Sequence, residues 1–374
     1  MQENKKGNRT LTDASRLIIE SMARAGADSF IGYPITPANL LYQYGSQRMP
    51  LMLAAPDEIT TLQWMAGLSA TGKVPITATS FPGYALMIES VNMAYMMELP
   101  MVIILVQRLG PATGTATCGA QGDLSLLRGN ISGGHPLPVI ATSSFEDCWT
   151  LSAKAVETAI KLRTPVVLLT SKEEVMTSKS FDMASLPEIK KTEQKYYDLD
   201  CEGAYKSYKP TDMVPDFLPV TQNKHQVRIN ASTHNQLGLL QHSTPEAMDN
   251  TRRLEEKIKQ KAFEYIQYEL YEQQDAEKLV VAFGITAAAA KDAVAQLQQD
   301  GEKVSLLIPK TLVPVQDVYA EIMDSYNKVV VAEENINNQF SEMIYGIRKP
   351  AGHSFVGSLG KMITPQQIIE EVKA

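Results

Sequence analysis

Cysteine is scarce in this chain of 374 residues: Cys118, Cys148 and Cys201 stand far apart, with no CxxC pair. They cannot frame a disulfide scaffold, and they cannot supply the four thiolates of an iron–sulfur cluster or a structural zinc. Histidine is scarce too. The five, at 135, 225, 234, 242 and 353, show no HExxH or comparable ligand spacing, so metal binding by this chain alone is not expected. An excess of positive charge is also missing: 35 basic residues face 42 acidic ones, the net charge is -7, and both signs are spread along the chain. Without a basic field there is nothing to collect phosphate backbones, which excludes nucleic acid as the expected partner. No window reaches the roughly 18 uninterrupted apolar residues of a membrane span. The opening "MQENKKGNRT" lacks the apolar run of a signal peptide, and the expectation is a soluble, cytoplasmic protein.

What is present is an alternation. A 44% hydrophobic fraction in a chain of this length is enough for two or three cores without staples. "TDASRLIIESMARAG" has helical periodicity, with Thr12 or Asp13 as cap and Gly26 as stop. The short apolar runs "DSFIGY", "PITATS", "PMVIILVQ", "LPVIAT" and "TPVVLLT" follow, separated by helical stretches. Strands apolar on both faces that alternate with helices predict a doubly wound α/β domain with a parallel sheet, assigned to residues 1–180. Residues 181–275 change character. They begin with an aperiodic Lys-, Tyr-, Asp- and Pro-rich connecting segment, then place Leu254, Ile258, Ala262, Ile266 and Leu270 at steps of four, predicting one amphipathic helix with a charged outer face. Residues 276–374 resume the alternation with "KLVVAFG", "KVSLLI" and "KVVVAEE", predicting a second, smaller α/β domain.

Four stretches could carry chemistry. "GLSATGKV" imitates a phosphate-binding loop, but Val74 replaces the Ser or Thr that would hold magnesium, and the glycines follow a helix instead of a strand. Gly72 reads as an ordinary helix C-cap. "QRLGPATGTATCGAQGD" is a long small-residue loop after a strand, at the sheet edge where open α/β folds bind ligands. Its Arg108 either holds an anion or bridges to a neighbouring helix, and Gln121 and Asp123 could equally be caps. Glu58 falls in the first turn of a helix opened by Pro56 or Asp57, a position that also suits any capping acid. Ser80, in "TSFPG", sits in a strand-to-helix turn that either presents backbone donors or is only a turn. Finally, "GYPITP" leaves a strand through Tyr33 and Pro34 and predicts Thr36 as N-cap and Pro37 as first helical residue. That corner is either a plain connection or a place where a hydroxyl and helix amides meet an anionic ligand.

Taken together, "FIGYPITP", "DEITTLQWMAGLSATGKVPITATSFPGYALMIES", "ELPMVIILVQRLGPATGTATCGAQGDL", "STHNQLGLLQHSTPEAMDNTRRLEEKI" and "VVVAEENINNQF" resemble the alpha subunit of 2-oxoacid:ferredoxin oxidoreductases, most of all the 2-oxoglutarate type. The resemblance implies oxidative decarboxylation of a 2-oxoacid on thiamin diphosphate, with coenzyme A taking the acyl group and ferredoxin the electrons. Residues 1–180 would be the pyrimidine-binding thiamin diphosphate domain, and 276–374 a transketolase C-terminal-like domain serving assembly. It places the acid that bonds the aminopyrimidine, and so generates the base for the thiazolium, on Glu58. It places the substrate contacts on Thr36 and Arg108, and further cofactor contacts on Tyr33, Pro34 and Ser80. Two departures stand out: "SFPG" puts Phe81 where the family has Gly, and "ENINNQ" puts Asn338 where it has Gly. No Gly-Asp-Gly site for magnesium and diphosphate occurs. The resemblance therefore implies a beta subunit that carries that site and the iron–sulfur cluster, and a gamma subunit. A branched-chain 2-oxoacid or pyruvate enzyme, and a non-catalytic scaffold paralogue, stand as alternatives.

Overall fold

The computed structural model describes residues 9–374; the stretch "MQENKKGN", part of the opening read above for a signal peptide, lies outside them. The five apolar runs form the middle of a seven-stranded sheet. Its order is Leu51–Ala54, Ser29–Gly32, Pro75–Thr79, Met101–Gln107, Pro165–Ser171, Val139–Ala141, Thr311–Val313. The first six are parallel and the last antiparallel. All of Pro75–Thr79, Met101–Gln107 and Pro165–Ser171 is buried, because helices cover both faces. The edge strand Leu51–Ala54 is short and half-exposed, and its sequence carries no alternation that announces it.

Helix ends follow local chemistry. Asp13 caps Ala14–Ala25 by accepting the Arg16 amide at 3.1 Å, and Gly26 ends that helix at φ 125°. Asp57 caps Glu58–Ala70 through the Thr60 amide at 2.7 Å. The same helix closes with Gly72 at φ 94°, as a C-cap glycine should. Thr36 and Pro37 depart from expectation. Ala38 N–H donates to Ile35 O at 2.8 Å, closing a turn around a cis Thr36–Pro37 bond, and the helix begins only at Asn39 with Ala38 as N-cap. The Thr36 hydroxyl is thus no cap; it accepts from Asn39 Nδ2 at 3.1 Å.

The smaller sheet has the order Tyr268–Tyr271, Val304–Pro309, Lys278–Ala282, Lys328–Glu333, His353–Gly357. The single helix read through Leu270 is corrected here. The helix is Pro245–Gln260, a tight turn follows at Ala262–Glu264, and Tyr268–Tyr271 is an antiparallel edge strand. Aromatic residues in "YELY" favour a pleated surface, and the four-residue spacing there is fortuitous. Nor is that helix charged only on its outside: Arg253 and Lys257 are buried. Lys257 Nζ lies 2.7 Å from Glu98 Oε2, and Arg253 grips the same carboxylate. Arg163 joins them, donating to the carbonyls of Glu98 and Pro215 at 3.3 and 3.1 Å, so charges pin the connecting segment to the large sheet. The two sheets also share one apolar cluster that includes Leu105, Leu169, Val281 and Phe283. No helix of the described residues is long and apolar enough to cross a membrane.

Candidate active site

The chain passes from Ser29–Gly32 to its neighbour Leu51–Ala54, then crosses back to Pro75–Thr79 on the other side. Such a reversal opens a crevice at the carboxyl edge of a parallel sheet. Thr36, Glu58, Ser80 and Arg108 each follow a different one of these parallel strands, so they gather along that edge. Glu58 is the first residue of its helix, 7% exposed. Across from it, the Phe81–Met96 helix approaches so closely that a Cβ on Gly83 would lie 2.2 Å from Thr79 Oγ1 and 2.7 Å from Glu58 Oε1. Glycine at 83 therefore sets where the carboxylate can sit. Gly83→Ala should push Thr79 and Glu58 aside; with Glu58 in the role the resemblance implies, turnover of the assembled enzyme should fall about 100-fold, the scale of a 1 Å misplacement, well beyond what the overpacking cost of about 1–3 kcal/mol in stability would explain. A loss of turnover no larger than the loss of stability explains would mean that Gly83 serves folding instead.

Ser80 precedes that helix; its hydroxyl is fully buried and has no partner among the described residues. Tyr33 and Pro34 lie exposed beside the crevice. Arg108 and Thr36 do meet, although through the backbone: Arg108 Nη1 donates to Thr36 O at 2.6 Å. Arg108 is 7% exposed and its Nε has no partner among the described residues. Burial draws it below the ordinary Arg value, while Asp123 works the other way. A fixed, desolvated guanidinium with a free donor can bind a carboxylate.

Arg108 also lines a cavity of about 370 Å³ whose walls include Phe81, Leu109, Asp123, Ile336 and Leu359. The last two come from the smaller sheet's side of the molecule, a contribution that the sequence reading had not assigned. Gln121 joins the two sides. Its side chain donates to Phe283 O at 2.8 Å and accepts from Thr286 Oγ1 and the Glu334 amide at 2.7 and 2.8 Å. No local spacing could have revealed this, since every partner is more than 160 residues away. Asn338, where the family has Gly, holds φ 52° and ψ 49°, the left-handed conformation that Asn tolerates best after Gly.

The donor set suits one end of thiamin diphosphate. A buried carboxylate, a free hydroxyl and an exposed aromatic suit an aminopyrimidine, and nothing in "GAQGDL" supplies a magnesium-diphosphate cradle.

Residues 20–254 match the family described as pyruvate flavodoxin/ferredoxin oxidoreductase, thiamine diphosphate-binding, and residues 276–368 match pyruvate:ferredoxin oxidoreductase core domain II. Among similar proteins is the 2-oxoglutarate synthase subunit KorA of Methanocaldococcus jannaschii, 31% identical over 86% of this chain and 87% of its own length. The ketoisovalerate oxidoreductase subunit VorB of Methanothermobacter marburgensis is 29% identical, over 78% of this chain and 76% of its own. Among solved structures, a 2-oxoglutarate:ferredoxin oxidoreductase from Magnetococcus marinus, with 2-oxoglutarate, coenzyme A and succinyl-CoA bound, superimposes with a TM-score of 0.91 at 25% identity. That match covers 99% of this chain and 66% of the other. The chain thus belongs to the pyruvate flavodoxin/ferredoxin oxidoreductase family, as a thiamin diphosphate-binding subunit of a 2-oxoacid:ferredoxin oxidoreductase.

Proposed function

We propose that this chain is the alpha subunit that binds the aminopyrimidine end of thiamin diphosphate and the carboxylate of a 2-oxoacid, 2-oxoglutarate being the first candidate. The observation that carries this reading is the Arg108–Thr36 contact at the carboxyl edge that also holds Glu58. Glu58 would share a proton with the pyrimidine ring nitrogen, and Ser80, Tyr33 and Pro34 would lie beside the ring. When bound, the cofactor supplies the carbanion chemistry that decarboxylates the 2-oxoacid. Arg108 orients the substrate carboxylate, and the Thr36 carbonyl keeps the guanidinium from swinging away. A beta subunit carries magnesium, diphosphate and the iron–sulfur cluster. A gamma subunit, ferredoxin and coenzyme A complete the system, and the products are acyl-CoA, carbon dioxide and reduced ferredoxin.

A branched-chain 2-oxoacid is the second reading. The cavity beside Arg108 is lined mainly by apolar side chains, Arg108 is its sole basic residue among the described residues, and Asp123 and Glu334 face it as acids. A distal carboxylate would find no cation there among the described residues. Co-expression with the neighbouring beta-type subunit, followed by 2-oxoacid-dependent viologen reduction, tests both. Arg108→Met should raise KM for every 2-oxoacid roughly 10- to 100-fold, the worth of a charge-assisted hydrogen bond. A ranking of 2-oxoisovalerate above 2-oxoglutarate selects the second reading, the reverse ranking selects the first, and no 2-oxoacid activity refutes both.

A further inference from the structure

Asp123 has no part in the chemistry above, yet it is 6% exposed and its Oδ2 has no partner among the described residues. It stands at the start of the short helix Leu124–Arg128 without capping it. It lines the same cavity as Arg108, whose Nε is likewise unpartnered. The groups around it come from three elements. Tyr84, on the Phe81–Met96 helix, is fully buried, its hydroxyl has no partner among the described residues, and burial keeps that phenol neutral by pushing it up. Gln107 and Arg108 come from the end of the Met101–Gln107 strand. Glu334, after the Lys328–Glu333 strand, faces the same cavity, accepts the Ile363 amide at 3.2 Å and, like Asp123, is pushed up to about 7 by burial, so Glu334→Gln is the variant that tells the two carboxyls apart.

We propose that Asp123 and the substrate carboxylate take turns as the counter-ion of Arg108: Asp123 is ionised in the empty pocket and takes a proton from solvent when the 2-oxoacid docks. This rests on the reading of Arg108 as the 2-oxoacid site. One buried guanidinium can neutralise one anion. A second carboxylate would lie unpaired in a low-dielectric pocket, where an uncompensated charge is strongly disfavoured. Protonation avoids this and leaves the net charge of the pocket the same before and after binding. The step forms one O–H bond on the Asp123 carboxyl and breaks one in the water or buffer that gives up the proton. Asp123 is poised for it, since burial pushes its carboxyl up to about 7 against the opposing pull of Gln107 and Arg108. By linkage, a site that takes up a proton on binding loses affinity as pH rises.

The test uses the enzyme assembled with its partner subunit and oxamate, a carboxylate that cannot be decarboxylated as a 2-oxoacid is. Calorimetry in two buffers of different ionisation heat should show uptake of nearly one proton per oxamate about one pH unit above the Asp123 value. The dissociation constant should rise about tenfold per pH unit in that range. Asp123→Asn should abolish both the uptake and the slope, whereas Asp123→Glu and Glu334→Gln should keep them. Absence of proton uptake in the unaltered enzyme overturns the proposal even if Asp123→Asn fails to assemble. An unchanged slope in Asp123→Asn, or a slope lost in Glu334→Gln, overturns it as well. Arg108→Met separates the two levels: oxamate binding unaffected there refutes the Arg108 site itself. Binding lost there, with the slope intact in Asp123→Asn, refutes only the role of Asp123.

Discussion

Glu58→Gln should leave the assembled enzyme folded and nearly inactive, with viologen reduction down roughly 100- to 10,000-fold, the range for loss of a positioned proton-transfer group. The amide keeps the size of the carboxyl and its place between Asp57 and Gly83, so the helix start and its Asp57 cap remain. What is lost is an acceptor that can hold charge against a ring nitrogen. Thiamin diphosphate affinity, followed by quenching of intrinsic fluorescence, should fall far less than turnover, because on the proposed reading a beta subunit supplies the diphosphate grip. Full activity in Glu58→Gln would show that the role assigned to Glu58 is wrong and that another group holds the pyrimidine.

The second large effect concerns stability. Glu98 is fully buried between Arg253 and Lys257. Burial works against its ionisation, and the two cations more than offset this, holding the carboxyl well below the usual Glu value of 4.5. Glu98→Gln strands two buried cations and should cost about 3–5 kcal/mol, the range for breaking a buried pair by removing one partner. Thermal melts should show a drop on the order of 5–10 °C. The sign with pH is fixed: a carboxyl with a depressed folded value contributes stability that is present above the unfolded value and lost as pH falls through and below it. The unaltered protein should therefore lose stability below about pH 4.5, and the variant, already without that carboxyl, should lose less over the same interval. Coincident melts at neutral pH would show that the charges do not hold the connecting segment.

Local physics made much of this legible in the sequence. The five apolar strands, the Asp13 and Asp57 caps and the Gly72 stop depend on neighbours a few residues away. The resemblance then placed Glu58, Thr36 and Arg108 at one sheet edge, where the strand ends do lie. Features set by distant partners were not legible. The Glu98 cluster needs residues 155 and 159 positions further on. Gln121 bonds across more than 160 residues, and Tyr268–Tyr271 becomes a strand only because Val304–Pro309 offers it an edge. The turn at Thr36–Pro37 is not legible for another reason: the composition of a helix start and that of a tight proline turn are nearly the same.

The Thr311–Val313 strand, which leaves the small sheet to pair with Val139–Ala141 in the large one, bears on how this polypeptide can be divided. A fragment ending near residue 275 would keep every strand that bears Thr36, Glu58, Ser80 and Arg108, yet it would expose Val139–Ala141 as a bare, wholly apolar edge, open to pairing with other chains. Such a fragment should aggregate. Gene fusions or splits that respect the fold would have to keep residues 311–313 with the first half or supply a replacement strand.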